Sequence, residues 1–309
     1  MNTRNETFYR PDPGLRAAVE VARDLNMPLL VTGEPGTGKT SLAEWIAGHE
    51  MLNSEVFRFN TKTISTAKDL FYRYDAIRHF GKRNSNALEF ITYEAFGKAI
   101  LYSRPDYRPV VLVDEIDKAP RDFPNDLLFE FEEYAFRIEE AGKEDMDQYD
   151  FSAKLGANVR IDDSGYIRSE SSEPPFLLLT SNSEKNLPDA FLRRCVFYHI
   201  EFPGEDLLRE IVQKRTKIGD RYTEHVNTVI EFFLHIRESG LIKRPATAEL
   251  VKWVESILGR DIDWSILKED QNMREKLMET LPVLAKNTGD LATCRARSEQ
   301  FLRNYAPPS

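Results

Sequence analysis

Pro28-Leu29-Leu30-Val31-Thr32-Gly33-Glu34-Pro35-Gly36-Thr37-Gly38-Lys39-Thr40 joins a short apolar run to a glycine-rich loop that opens a helical pattern. The apolar run is too brief for a helix and suits a strand buried on both faces of a parallel sheet. Gly33-Glu34-Pro35-Gly36-Thr37-Gly38-Lys39-Thr40 matches the phosphate-binding loop pattern without a gap, after a strand and before a helix, as that mechanism requires. The glycines let backbone amides point at phosphate oxygens, and the helix N-terminus near Lys39 adds its dipole. In this reading Gly33, Pro35, Gly36, Thr37, Gly38, Lys39 and Thr40 bind a nucleotide. Lys39 neutralises the β- and γ-phosphates, and Thr40 sets its hydroxyl on Mg²⁺. The alternative is a glycine-rich turn with no ligand.

Further apolar runs flank this stretch at 56–59, 110–113, 176–179 and 196–200. Helical periodicity marks 15–25, 41–49, 93–101 and 125–133. Strands alternating with helices predict an α/β fold, a parallel sheet flanked by helices. After Pro203-Gly204 the pattern changes, and residues 205–214, 224–238, 247–258, 272–284 and 290–301 all read as amphipathic helices. Val226, Val229, Ile230, Phe233 and Leu234 carry the clearest stripe. The expected division is an α/β core over 1–202 and an all-α domain over 203–309.

Val110-Val111-Leu112-Val113-Asp114-Glu115 supplies the second half of the expected site. A strand ending in a carboxylate sets Asp114 at the carboxyl edge of the sheet, where it can hold a metal beside the loop. Glu115 is placed to orient and deprotonate an attacking water. Otherwise both residues simply end the strand. Phe176 to Asn182 (FLLLTSN) is another buried strand ending in small polar groups, and Thr180 and Asn182 could reach the γ-phosphate or the water. Pro188 to Cys195 reads as a short helix closed by Arg193 and Arg194, which on residue type alone complement its dipole.

Two segments fit less readily. Between 130 and 150 nine carboxylates stand against Arg137 and Lys143 alone, which reads as a solvated acidic loop or hairpin, or as a partner-binding insert. Phe71-Tyr72-Arg73-Tyr74-Asp75 mixes aromatic and basic side chains that could stack on bases, or could form a helix face packed on the domain or a subunit contact.

Composition narrows the function classes. The 309 residues carry 42 Lys and Arg against 51 Asp and Glu, a net charge of −9, so nucleic acid is an unfavoured partner. Two cysteines, Cys195 and Cys294, are too few for a disulfide framework or a zinc site, which fits a reducing cytoplasm. No apolar run approaches a membrane span, and Met1 to Thr7 lacks the apolar core of a leader. The Asn5-Glu6-Thr7 sequon reads as chance in such a chain. A cytoplasmic protein without membrane contact is expected.

Taken together, GEPGTGKT, VVLVDEIDKAP, LTSN, LPDAFLRRC and RPATAELVKW make the chain resemble the AAA+ ATPases, and in particular the MoxR family, over nearly its whole length. The resemblance implies a helix-2 insert at about 61–94, a second insert before sensor 1 at about 134–174, and an α-helical lid over 203–309. Both inserts would face the central pore of a ring. It implies Asn182 as sensor 1 and Arg194, with Arg193 beside it, as the arginine finger reaching a neighbouring subunit's ATP. Members often carry a sensor-2 arginine shortly after the helix-opening proline. Pro245-Ala246-Thr247-Ala248 has none, so either Arg244 takes the role or sensor 2 is absent.

The expectation is therefore Mg²⁺-dependent ATP hydrolysis. Lys39, Thr40 and Asp114 would hold ATP and metal, Glu115 would activate water and Asn182 would position it. Arg194 acting in trans requires a homo-oligomer, by resemblance a hexameric ring. The output would be remodelling of, or chaperoning for, a client protein, which in MoxR partners can bear a von Willebrand A domain. An ATP-gated assembly switch and a DNA-remodelling motor are the rival readings.

Overall fold

The computed structural model describes residues 9–50, 54–82, 85–182, 187–216 and 225–304. The sequon and the expected helix start at Glu224 lie outside them. The chain forms two compact units, one of Met1–Gly33 with Gly38–Ile200, the other of Glu34–Thr37 with Glu201–Ser309.

In the first unit the strands are β1 (Leu29–Gly33), β2 (Val56–Asn60), β3 (Tyr72–Tyr74), β4 (Ile91–Tyr93), β5 (Val110–Asp114), β6 (Ala135–Arg137), β7 (Val159–Ile161), β8 (Tyr166–Ser169), β9 (Phe176–Ser181) and β10 (Val196–Ile200). Five of them form one parallel sheet in the order β10-β1-β9-β5-β2. The apolar runs alternate cleanly between its faces, as a period of two requires. Leu30, Val111, Val113, Leu177 and Leu179 enter one core layer, and Leu29, Val31, Val110, Leu112, Phe176 and Leu178 the other. Helix α1 (Pro13–Asp24) adds Leu15, Val19 and Ala22 to the second layer. Its start is set by Asp12, whose carboxylate accepts the Leu15 N–H at 3.0 Å.

The expected helix over 125–133 is two, Phe123–Asp126 and Leu128–Glu133, because Leu127 between them leaves the helical region (φ −102°, ψ 0°). Tyr93 ends β4, and the following helix is Ala95–Tyr102. The 71–75 stretch is not a helix face. Tyr72–Tyr74 pairs with Ile91–Tyr93 as an antiparallel ribbon, and Phe71 and Tyr72 are buried, so their rings are closed to base stacking. Gly97 lets the next helix approach: a Cβ there would lie 2.1 Å from the Phe71 carbonyl oxygen.

The acidic stretch is not a solvated loop either. Its apolar residues Phe136, Ile138, Met146, Phe151 and Ile167 enter the same core as Phe71 and Phe96. β6, β8 and β7 make a small antiparallel sheet, with two short helices, Lys143–Gln148 and Phe151–Leu155, between β6 and β7. Three of its nine carboxylates pair with cations from distant sequence: Glu140 with Lys68, Glu133 with Arg168 and Glu132 with Arg194.

In the second unit the helices Glu205–Arg215, Val226–Arg237, Thr247–Gly259, Gln271–Thr280 and Thr288–Asn304 enclose their own core around Phe232, Phe233, Trp253 and Trp264. The expected 272–284 helix tightens into a 3₁₀ turn at Leu281–Val283, where Pro282 cannot donate to the α-helical ladder. No helix among the described residues is long and apolar enough to cross a membrane.

Candidate nucleotide site

β1, β9 and β5 are parallel neighbours, so their carboxyl ends at Gly33, Ser181 and Asp114 lie side by side. The loop after β1 and the turn after β5 therefore emerge at one edge, where open α/β sheets take their ligands.

The loop turns on Gly38, which caps helix α2 (Lys39–Trp45) in a left-handed conformation at φ 89°. A Cβ at Gly38 would stand 2.8 Å from the Tyr9 ring, so both conformation and space require glycine here. Lys39 is 7% exposed, and its ammonium donates to the Gly33 carbonyl at 2.6 Å and to Asn182 Oδ1 at 2.9 Å. Thr40 Oγ1 donates to Asp114 Oδ2 at 3.3 Å. Glu115 follows with φ 57° and ψ 50°, an uncommon left-handed conformation for a residue with a Cβ. Its Oε1 accepts from Asn182 Nδ2 at 3.5 Å, and its other oxygen pairs with Lys118. That hydrogen bond holds the Lys118 ammonium above the ordinary lysine range. Asn182 N–H donates to Asp117 Oδ1 at 3.3 Å.

Lys39, Asn182 and Glu115 are thus linked in one hydrogen-bonded chain, although 143 positions separate Lys39 from Asn182, and Thr180 joins that chain to the Thr40–Asp114 pair. Thr180 departs from its expected place. It is fully buried, and its hydroxyl donates to Asp114 Oδ1 and accepts the Glu115 N–H at 3.0 Å instead of facing a phosphate or water.

Pro35, Gly36 and Thr37 belong to the tetrapeptide that groups with the helical unit. Thr37 Oγ1 closes the tetrapeptide on the Glu34 carbonyl at 2.9 Å. Gly36 sits at φ +81°, where a Cβ would lie 3.3 Å from the Ala248 backbone nitrogen. Within the same unit Arg237 pairs with Glu34, donates to the Pro245 carbonyl at 2.6 Å, and lies 3.6 Å over the Phe202 ring. Arg244, the candidate that the sequence offered here, is exposed, whereas Arg237 is buried. The signal was present: Val229, Phe233 and Arg237 fall on one helical stripe, and a cation on an apolar stripe needs a partner.

Arg193 caps the short helix Asp189–Leu192 and is exposed. Arg194 pairs with Glu132 and donates to the Ala190 carbonyl at 2.9 Å, hydrogen bonds that lead away from the Lys39–Asn182 group. Lys118 is a second residue that spacing could have flagged, being three positions from Glu115 on one turn.

The donors suit a small hard cation. The Thr40 hydroxyl and Asp114 carboxylate converge, and Mg²⁺ characteristically takes one or two such oxygens beside substrate phosphates and water. No group of three or more His, Cys, Asp or Glu among the described residues could hold a metal by itself. Burial pushes the Cys195 thiol up to about 12 and the Cys294 thiol up to about 11, which keeps both protonated at neutral pH.

A strand, glycine loop and helix facing a strand-end carboxylate define the class of phosphate-loop nucleotide-binding α/β proteins. Residues 29–203 match the model of the ATPase family associated with various cellular activities (AAA), and the chain belongs to that family. No curated protein matches it. Among solved structures it is similar to an arginine-to-alanine variant of RuvB from Thermotoga maritima, at 16% identity over 87% of this chain and 67% of that one, with a TM-score of 0.45. It is also similar to katanin in a structure concerned with self-assembly, at 14% identity over 94% of this chain and 88% of that one, with a TM-score of 0.46.

Proposed function

We propose that this AAA-family chain hydrolyses ATP with Mg²⁺ and uses the cycle to remodel a client protein. The observation that carries this reading is the convergence of Lys39, Thr40, Asp114, Glu115 and Asn182 at one sheet edge. Lys39 and the loop amides of Gly33, Gly36, Thr37 and Gly38 hold the triphosphate, with Pro35 stiffening the loop. Thr40 and Asp114 hold Mg²⁺, which when bound offsets charge on the phosphate oxygens. Glu115 accepts the proton of the attacking water while Asn182 orients that water. The new oxygen–phosphorus bond forms as the bond from the γ-phosphorus to the bridging oxygen breaks, and ADP and phosphate leave.

In this reading Arg194 serves a neighbouring subunit's ATP, so the active form is a homo-oligomeric ring, a hexamer by likeness to MoxR proteins, with Arg193 as a secondary cation. Arg194 must then exchange Glu132 for the neighbour's phosphate. Arg237, tied to the phosphate loop through Glu34, takes the coupling role that Arg244 was expected to fill. The proposed domains remain a core over 1–202 and a lid over 203–309, with inserts at about 61–94 and 134–174. The proposed setting is cytoplasmic, and a von Willebrand A domain protein is the client class that the MoxR likeness suggests.

Phosphate release from ATP, with and without Mg²⁺ and with added duplex DNA, tests the reading. Mg²⁺-dependent release indifferent to DNA is expected. No release overturns the hydrolytic reading, and stimulation by DNA transfers the chain to the motor class.

A further inference from the structure

We propose that Thr180 is the positioning residue that fixes the Asp114 carboxylate and the backbone turn at Glu115 for metal-bound nucleotide. This inference rests on the Mg²⁺–ATP reading of the site. Thr180 lies on β9, the strand between β1 and β5. Val113 pairs with Leu179 in the β5–β9 register, so the next step sets Asp114 opposite Thr180. Both faces of β9 are otherwise apolar up to this point, with Phe176, Leu177, Leu178 and Leu179 all buried. A fully buried hydroxyl at the fifth position needs partners, and it has two.

A hydroxyl carries one hydrogen and can accept through its lone pairs. Here the hydrogen goes to Asp114 Oδ1, and the Glu115 N–H is accepted at 3.0 Å. The first contact, with Thr40 on Oδ2, fixes the carboxylate plane of Asp114 from two sides. The second holds the chain where it enters its left-handed turn at Glu115, at φ 57°. One side chain therefore holds the metal-holding carboxylate and the backbone nitrogen of the residue placed to activate water. When Thr40 turns its hydroxyl to the metal, Thr180 continues to hold Asp114.

The test compares Thr180→Val, which keeps shape and loses the hydroxyl, with Thr180→Ser, which keeps the hydroxyl. ATP binding is measured by calorimetry in EDTA and across a Mg²⁺ series, with circular dichroism as the check on folding. If Thr180→Val does not fold, Thr180→Ala replaces it. The expected result is unchanged ATP affinity in EDTA, with the Mg²⁺ needed for tight binding raised about 10- to 100-fold, and recovery in Thr180→Ser. Wild-type Mg²⁺ dependence in the hydroxyl-free variant overturns the proposal. So does an equal loss in the serine variant, or an equal loss of ATP affinity with and without Mg²⁺. Wild-type protein that binds ATP indifferently to Mg²⁺ overturns the underlying metal reading, and the proposal with it.

Discussion

Arg237 closes an ion pair on Glu34, the second residue of the phosphate loop, while its other nitrogen donates to the Pro245 carbonyl at 2.6 Å. The Arg237 side chain is 7% exposed, and its guanidinium stacks on Phe202. Loop, proline turn and helix end are thereby joined through one planar cation. Only arginine can serve two acceptors in a plane and stack on a ring at once.

Arg237→Ala leaves the Pro245 carbonyl and Glu34 without this donor. It should destabilise the chain by about 1–3 kcal/mol and raise the ATP concentration for half-saturation. Arg237→Lys should recover little of either. Thermal unfolding and nucleotide titration check both, and full recovery by lysine would show that charge alone is what the loop requires.

The Lys68–Glu140–Tyr72 cluster predicts a pH-dependent contribution to stability. Burial raises the Glu140 carboxyl, but hydrogen bonds from Lys68 and Tyr72 outweigh it and hold the carboxyl below its ordinary value of 4.5. A carboxyl lowered on folding stabilises the folded chain above its unfolded pKa, and that stability is lost as pH falls through the folded value. Glu140→Gln should therefore cost about 1 kcal/mol at neutral pH, below the usual value for a charged hydrogen bond because Lys68 is partly screened by solvent. The cost should shrink toward zero as pH falls below 4.5. Denaturant titrations of both proteins at neutral and acid pH read the difference.

The parts of this molecule legible in its sequence are those whose physics is local. The loop 33–40 and the runs at 110–114 and 176–181 declare a glycine turn and doubly buried strands within a few residues. Residues 130–150 read as a solvated loop because carboxylates dominate their composition, whereas Phe136, Ile138 and Met146 decide their packing. Their countercharges lie far off in sequence, at Lys68 and Arg194. Thr180 was legible as a strand-end hydroxyl, but its partners depend on the β5–β9 register, which periodicity alone does not supply.

Arg194 carries the assembly prediction. If it acts on a neighbour's γ-phosphate, specific activity should rise with protein concentration, and Arg194→Ala should lower turnover by about 10³ to 10⁵ while nucleotide affinity changes less. Because Arg194 is partly exposed and pairs with Glu132 in its own chain, the variant should remain folded. Mixing Arg194→Ala with Glu115→Gln subunits should restore some activity, since one interface can then pair intact residues. Turnover that is independent of concentration would return Arg194 to its place at a helix terminus.

Lys39 and Glu115 divide nucleotide binding from hydrolysis at one sheet edge in the proposed mechanism. The direct measurement is ATP affinity and single-turnover phosphate release in wild type, Lys39→Ala and Glu115→Gln. Lys39→Ala should abolish binding, because it removes the buried ammonium at the loop. Glu115→Gln should bind ATP as wild type does and release no phosphate above background. If the two variants lose ATP binding equally, or if Glu115→Gln hydrolyses at the wild-type rate, Glu115 is not the group that activates water.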